Sequence, residues 1–314
     1  MKVAFVFPGQ GSQYVGMGQQ LYRDFPQAQR VFELADSVLG FGLSRVCFEG
    51  PEDELVQNPV IQPAVVTTAL AAFSVLAEQG VKPDAVAGLS VGEYAALAVA
   101  GSLGIAETIA LVRKRGLAMR DAVPPGVGGM LAVIGLDREV VGLLCKEASK
   151  FGVVEPANYN CPGQVVVGGE LKALEALEEL AKERGARKTV RVAMSSPSHC
   201  SLMRKAAEMF NKHLEAVSFA DPVVPVYSCV DGYPTTSGAK LKANLMKQLC
   251  QPVLWEEAVR NMEKNGITHV IELGPGRTLS GFVRKISRNM KVYNVEDTES
   301  LQRTLTQLRE EGLP

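Results

Sequence analysis

The chain has little of what would tie it to several large function classes. It carries no excess of one charge: 33 Lys and Arg against 34 Asp and Glu leave a net charge of −1. A broad basic field for nucleic acid is thereby excluded, and no acidic tail is evident. Cysteine is sparse. The six residues Cys47, Cys145, Cys161, Cys200, Cys229 and Cys250 are scattered, with no Cys-x-x-Cys pair. Neither zinc-ligand spacing nor a disulfide framework is suggested, and reduced, mostly buried thiols are expected. No apolar run is expected to reach membrane-spanning length. The N-terminal run Met1 to Pro8 is too short for a signal peptide and reads as a first buried strand. The expectation is a soluble cytoplasmic protein with neither nucleic acid nor membrane as partner. Internal repeats and low-complexity segments are missing too.

What is present is a large core and an alternating pattern. The chain has 314 residues, 46% of them hydrophobic. That length suits one large domain, or a large one with a smaller companion. Strand patterns at Val3 to Phe7 and Ala85 to Gly88 alternate with helix patterns at Asn58 to Glu78, Glu93 to Ala100 and Ile105 to Val123. Leu43 to Glu49 is ambiguous. The alternation predicts an α/β fold around a central parallel sheet.

A composition break at Pro124-Pro125-Gly126-Val127-Gly128-Gly129 reads as a linker or hinge. A second rhythm follows. Strands are expected at Met130 to Ile134, Val153 to Asn158, Gln164 to Gly168 and Thr189 to Ala193. Helices are expected at Arg138 to Lys150 and Leu171 to Arg184. This βαββαβ order is that of a ferredoxin-like unit. The expected organisation is a large catalytic α/β domain of residues 1–124 and 198–314, with a small α+β domain of residues 125–197 inserted. After it come helix patterns at Leu202 to Ala216, Leu241 to Cys250 and Glu256 to Asn265. Strand patterns lie at Val224 to Ser228 and His269 to Leu273, the latter running into Gly274-Pro275-Gly276-Arg277, a tight strand-to-helix connection with a structural role.

The segment Gly88-Leu89-Ser90-Val91-Gly92 lies between a strand and a helix pattern. A nucleophilic serine needs that context: small residues permit a sharp turn, and the hydroxyl stands at a helix N-terminus. A serine also needs a base. Of three histidines, His213 falls on a polar amphipathic helix and His269 on a strand. His199 lies on the irregular loop Ser195-Ser196-Pro197-Ser198-His199-Cys200, where the small domain rejoins the large one, and can project into the cleft between them. The loop Phe7-Pro8-Gly9-Gln10-Gly11-Ser12-Gln13 fails as a dinucleotide fingerprint, since the third glycine would fall at Tyr14. It can instead offer a backbone N–H, such as that of Gln10, to an oxyanion. Arg115 sits beside Arg113 and Lys114, a cluster that usually marks a solvated face. It shares i, i+4 spacing with Leu111 and Met119, however, and so lies on an apolar stripe. A buried arginine needs an anionic partner, which a carboxylate-bearing substrate would supply.

Together these segments resemble the malonyl-CoA:acyl carrier protein transacylases of fatty acid synthesis and the related acyltransferase domains of polyketide synthases. The likeness extends through Asn158-Tyr159-Asn160-Cys161-Pro162-Gly163-Gln164, Gln248-Leu249 with Pro252 and Trp255, and Glu272-Leu273-Gly274-Pro275-Gly276. It runs in order from residue 1 to about 290. The resemblance implies a hydrolase-like large domain and malonyl transfer from malonyl-CoA to the phosphopantetheine thiol of holo acyl carrier protein through a malonyl-serine ester. It implies Ser90 as nucleophile and His199 as base. Gln10 and Val91 would supply the oxyanion N–H groups, and Arg115 would pair with the malonyl carboxylate. Gln248 would support the histidine through its main-chain carbonyl, and Asn160 matches an asparagine near the pocket. Leu89 stands where many members have histidine, a difference at the pocket edge. No cofactor is implied, the phosphopantetheine belonging to the carrier. The alternatives are a polyketide acyltransferase with another extender unit, a serine thioesterase or hydrolase with water as acceptor, and a silent carrier-docking module.

Overall fold

The computed structural model describes residues 1–124, 126–192 and 196–312. Its first sheet is built from β1 (Val3–Phe7), β2 (Ala85–Gly88), β7 (Val226–Tyr227), β8 (Pro234–Thr235), β9 (His269–Leu273) and β10 (Lys291–Val295). The second comprises β3 (Gly128–Ile134), β4 (Val154–Cys161), β5 (Gln164–Glu170) and β6 (Lys188–Arg191).

The first sheet has the order β10-β9-β1-β2-β7-β8. The pairs from β10 to β7 are parallel, but β8 returns antiparallel to β7. The sheet is therefore mixed rather than wholly parallel. The cause is local: a short hairpin turns the chain back where no helical crossover intervenes. β1 is buried on both faces. Phe5 and Phe7 enter one apolar core with the helices, while Ala4 and Val6 enter a second core around Trp255. A continuous apolar run is what a central parallel strand requires.

Helix Asn58–Glu78 fills the larger core. By length and composition it could cross a bilayer, with a mean hydropathy of 1.9 over its best window, contrary to the expectation that no such run exists. That window is 83% buried inside the protein, so its apolarity is spent on the core. The Leu43–Glu49 segment is a helix. Helices Gln19–Asp24, Pro26–Leu39 and Thr298–Glu310, and strand β10, lie in stretches where no element was expected, while helix Thr278–Ile286 follows the expected strand-to-helix connection.

The second sheet is antiparallel, in the order β4-β5-β3-β6. Strand alternation divides its faces. Leu131, Val133, Val165 and Val167 pack on helices Arg138–Ala148 and Leu171–Glu183, while Met130, Ala132, Ala157 and Val166 form a small cluster on the other face. β4 continues through Asn158 to Cys161, with pairing irregularities on the way, beyond the expected end at Asn158, and Pro162 and Gly163 form the turn to β5. β6 ends at Arg191; the expected end at Ala193, like Pro125 in the linker and Ser195 in the histidine loop, lies outside the described residues. β4 also bonds to the segment between helices Gly238–Gln248 and Trp255–Lys264. Val253 N–H donates to Ala157 O at 2.8 Å, and Tyr159 N–H donates to Val253 O at 2.9 Å.

Candidate active site

β1, β2 and β9 are adjacent and parallel, so the turns that follow them meet at one edge of the sheet. Strand order also reverses here, since the sheet grows outward from β1 in both directions. In open α/β sheets this edge is where ligands bind. A cleft with a cavity volume of about 190 Å³ opens there. Its lining includes Gln10, Leu89, Ser90, Val91, Arg115 and His199, with Met130, Asn160 and Val166 opposite.

The serine turn is shaped by two close approaches. A Cβ on Gly88 would lie 2.1 Å from the Gly92 carbonyl carbon, and one on Gly92 would lie 2.2 Å from Phe7 O. Only glycine lets strand, turn and helix pack this tightly. Leu89 N–H donates to Phe7 O and Gly92 N–H to Leu89 O, both at 3.0 Å, which pins the turn to the end of β1. Ser90 is forced to φ 55°, and His199 has φ 58°. Among the described residues no other non-glycine residue has positive φ. Such backbone costs about 1–3 kcal/mol per residue and persists only where its surroundings impose it.

The two strained residues face each other. Ser90 Oγ lies 2.7 Å from His199 Nε2. His199 Nδ1 lies 2.8 Å from the Gln248 carbonyl oxygen, which can only accept, so Nδ1 carries the proton. Neutral Nε2 is then the acceptor for the Ser90 hydroxyl. Burial and the neighbouring Arg115 charge push the His199 pKa from 6.5 down to about 4. The imidazole is thus an unprotonated base at neutral pH.

Arg115 is 1% exposed on helix Ile105–Ala122, between Leu111 and Met119 on the same buried stripe. Its Nη2 donates to Ser90 Oγ at 3.2 Å and to Gln248 Oε1 at 3.1 Å. Its Nη1 donates to Gln62 Oε1 at 2.9 Å and contacts Met119 Sδ at 3.3 Å. Nε has no partner among the described residues. All four contacts are to neutral groups, and no described carboxylate forms a salt bridge with it. Burial accordingly pushes its pKa down.

The Gln10 and Val91 N–H groups have no backbone acceptor among the described residues. Both residues border the cleft beside Ser90, where two free N–H groups can receive an oxyanion. The Gln10 side chain donates to Asn58 Oδ1 at 3.1 Å, and Asn58 Nδ2 donates to Ser196 Oγ at 2.9 Å, linking this loop to the histidine loop. Asn160 Oδ1 is buried without a partner. Gln248 does not line the cleft; it lies behind it, joined to His199 by its main chain and to Arg115 by its side chain.

The other histidines lie elsewhere. His213 is exposed, and His269 Nε2 bonds Glu311 Oε2 at 2.6 Å. All six cysteines are free, and burial raises the Cys200 thiol to about 12. Among the described residues, no group of three or more His, Cys, Asp or Glu side chains could hold a metal ion.

The sequence patterns single out neither Gln62 nor Glu93, which complete the network around Arg115. A lone glutamine within the apolar run of Asn58 to Glu78, and an acid directly after the serine turn, were the available signals. Leu279 and Phe282, on the cleft wall, stand on a helix whose first turn is held by Glu272. That carboxylate accepts from the N–H groups of Leu279 and Ser280 at 3.0 and 2.7 Å.

Residues 4–309 match the acyl transferase domain family. The malonyl CoA-acyl carrier protein transacylase of Bacillus subtilis is 42% identical over 312 residues, covering 99% of this chain and 98% of that relative. The crystal structure of malonyl CoA-acyl carrier protein transacylase from Clostridium perfringens superposes with a TM-score of 0.95 at 40% identity, covering 99% of this chain and 98% of the other. A malonyl-transacylase solved in complex with its type II PKS acyl-carrier protein gives a TM-score of 0.95 at 39% identity, covering 98% and 100%. The chain therefore belongs to the acyl transferase family, beside the malonyl CoA-acyl carrier protein transacylases.

Proposed function

We propose that the protein transfers a malonyl group from malonyl-CoA to the phosphopantetheine thiol of an acyl carrier protein in fatty acid synthesis. The observation that carries this reading is Arg115: a buried cation, hydrogen-bonded to the serine hydroxyl, with only neutral partners. A buried, uncompensated charge costs several kcal/mol. A ligand carboxylate that reaches the guanidinium offsets that cost, and an acetyl group cannot.

In this mechanism His199 Nε2 takes the Ser90 proton as Oγ attacks the thioester carbonyl. The oxyanion accepts hydrogen bonds from the Gln10 and Val91 N–H groups, each contributing about 3–4 kcal/mol. The carbon–sulfur bond breaks and coenzyme A leaves with the proton from His199. The carrier thiol then gives its proton to His199 and attacks the malonyl-serine ester; the carbon–oxygen bond breaks and His199 returns the proton to Ser90 Oγ. One thioester is exchanged for another, so the reaction is reversible. Arg115 holds the malonyl carboxylate through both steps, Leu89 shapes the cleft edge and Asn160 offers an acceptor to the substrate. No metal or organic cofactor takes part. The phosphopantetheine arrives on the carrier.

We assign the chemistry to a hydrolase-like unit of residues 1–124 and 198–314, and the facing wall to a ferredoxin-like unit of residues 125–197. The four-stranded order β4-β5-β3-β6 supports the second assignment. The protein acts in the cytoplasm on soluble partners, with neither membrane nor nucleic acid. The named relatives and the complex of a related malonyl-transacylase with its carrier support this reading. The test is intact-mass spectrometry. Ser90 is expected to gain one malonyl group from malonyl-CoA and pass it to added holo carrier protein. Release of free malonate in place of transfer would make the protein a hydrolase.

A further inference from the structure

Glu93 takes no part in the mechanism above, yet it lies at the centre of the buried network. It follows Gly92 in the first turn of helix Gly92–Val99 and is fully buried. Its Oε2 accepts from Gln248 Nε2 at 2.7 Å and from the Cys229 thiol at 2.9 Å. Gln248 Nε2 also donates to the Ser90 carbonyl oxygen at 3.1 Å, and Gln248 Oε1 accepts from Arg115.

These contacts leave the Gln248 amide one orientation. Turned over, its NH₂ would face the guanidinium, donor against donor, and its oxygen would face the Ser90 carbonyl, acceptor against acceptor. Glu93 Oε2, the nearer of the two acceptors on Nε2, thus works with the Ser90 carbonyl to keep the amide oxygen toward Arg115. Gln248 Oε1 and Gln62 Oε1, one on each terminal nitrogen, then hold the guanidinium. His199 depends on a different atom, the Gln248 main-chain carbonyl, and is insulated from the amide's orientation.

We propose that Glu93 is a positioning residue for acyl-group selection: acting through the Gln248 amide, it fixes the guanidinium of Arg115 in the orientation that receives the acyl carboxylate, without touching substrate. This rests on the assignment of Ser90 and Arg115 above. Burial pushes the Glu93 carboxyl up from its ordinary range, with no cation bound to it directly. A hydrogen bond, rather than a charge, carries the effect.

The test compares Ser90 acylation by malonyl-CoA and by acetyl-CoA in the wild type, Glu93→Gln and Glu93→Met, with melting curves to confirm folding. Glu93→Gln keeps an acceptor and is expected to hold the malonyl-to-acetyl ratio within about threefold of wild type. Glu93→Met removes the nearer acceptor of the amide and leaves the Ser90 carbonyl alone to hold it, and the ratio is expected to fall about tenfold or more through KM for malonyl-CoA. The acid limb of its pH profile should stay in place. A folded Glu93→Met with the wild-type ratio, or with equal losses for both acyl groups, would overturn the proposal. If Glu93→Met does not fold, Gln248→Met decides: the ratio should fall alike. An unchanged ratio in Gln248→Met refutes the idea. Wild-type protein that acylates Ser90 with neither thioester would instead remove the functional assignment itself.

Discussion

One wall of the cleft is formed by the strand ends of the first sheet and the other by a face of the second, and they differ in how much freedom their residues keep. On the first wall Ser90 is held in a left-handed conformation, Gly88 and Gly92 have no room for a side chain, and Arg115 is tied through both terminal nitrogens. On the second, Met130, Ala132 and Val166 are alternate residues of ordinary strands. The first wall spends stability to fix atoms in place. The second supplies shape, and beside the polar Asn160 these three residues need only be apolar and of suitable size. Substitutions on the two walls should therefore differ in kind as well as in size.

The largest break falls on the base. His199→Ala is expected to lower the rate of Ser90 acylation by at least about 10³-fold, read in single-turnover intact-mass experiments, while leaving the fold intact. A loss under tenfold would mean that another group accepts the proton. Next comes pH. With its pKa lowered to about 4, His199 stays neutral well below the ordinary 6.5, so the acid limb of kcat/KM should lie nearer 4 than 6.5. The sign for stability agrees. Between these values the unfolded chain binds the extra proton, so this contribution is complete above about 6.5 and is lost as pH falls toward 4. An acid limb at 6.5 would show the histidine to be solvated. The smallest effect belongs to the second wall. Val166→Ala should change acylation by malonyl-CoA by less than about threefold, measured in the same assay. A loss like that of His199→Ala would erase the contrast between the walls.

Legibility in the sequence follows the same division. β1 and β2 are read directly because their apolar runs are uninterrupted, and β9 and helix Asn58–Glu78 because only a few polar residues break theirs. Pro26–Leu39 is not, because two of its four buried residues are alanines, Ala28 and Ala35, so its apolar stripe is faint. β7 falls within the expected strand Val224 to Ser228, but β8, its partner in the edge hairpin, has two residues, too few for any periodicity. Within the site, Ser90 carries a local signature and His199 was favoured by elimination. Arg115 stood out through its neighbours on one helix face. Gln62 and Glu93 acquire their roles only when chain segments far apart in sequence converge on one guanidinium, and no local pattern records that.

The central claim is that Arg115 is a buried cation reserved for the carboxylate of the acyl group. The most direct measurement is a competition: wild type and Arg115→Ala are each mixed with equimolar malonyl-CoA and acetyl-CoA, and the Ser90 adducts are weighed. The wild type should carry malonyl almost alone. In Arg115→Ala the malonyl-to-acetyl ratio should fall about 10- to 100-fold, the loss of one buried charge-assisted hydrogen-bonded pair. An unchanged ratio in the folded variant would contradict the account.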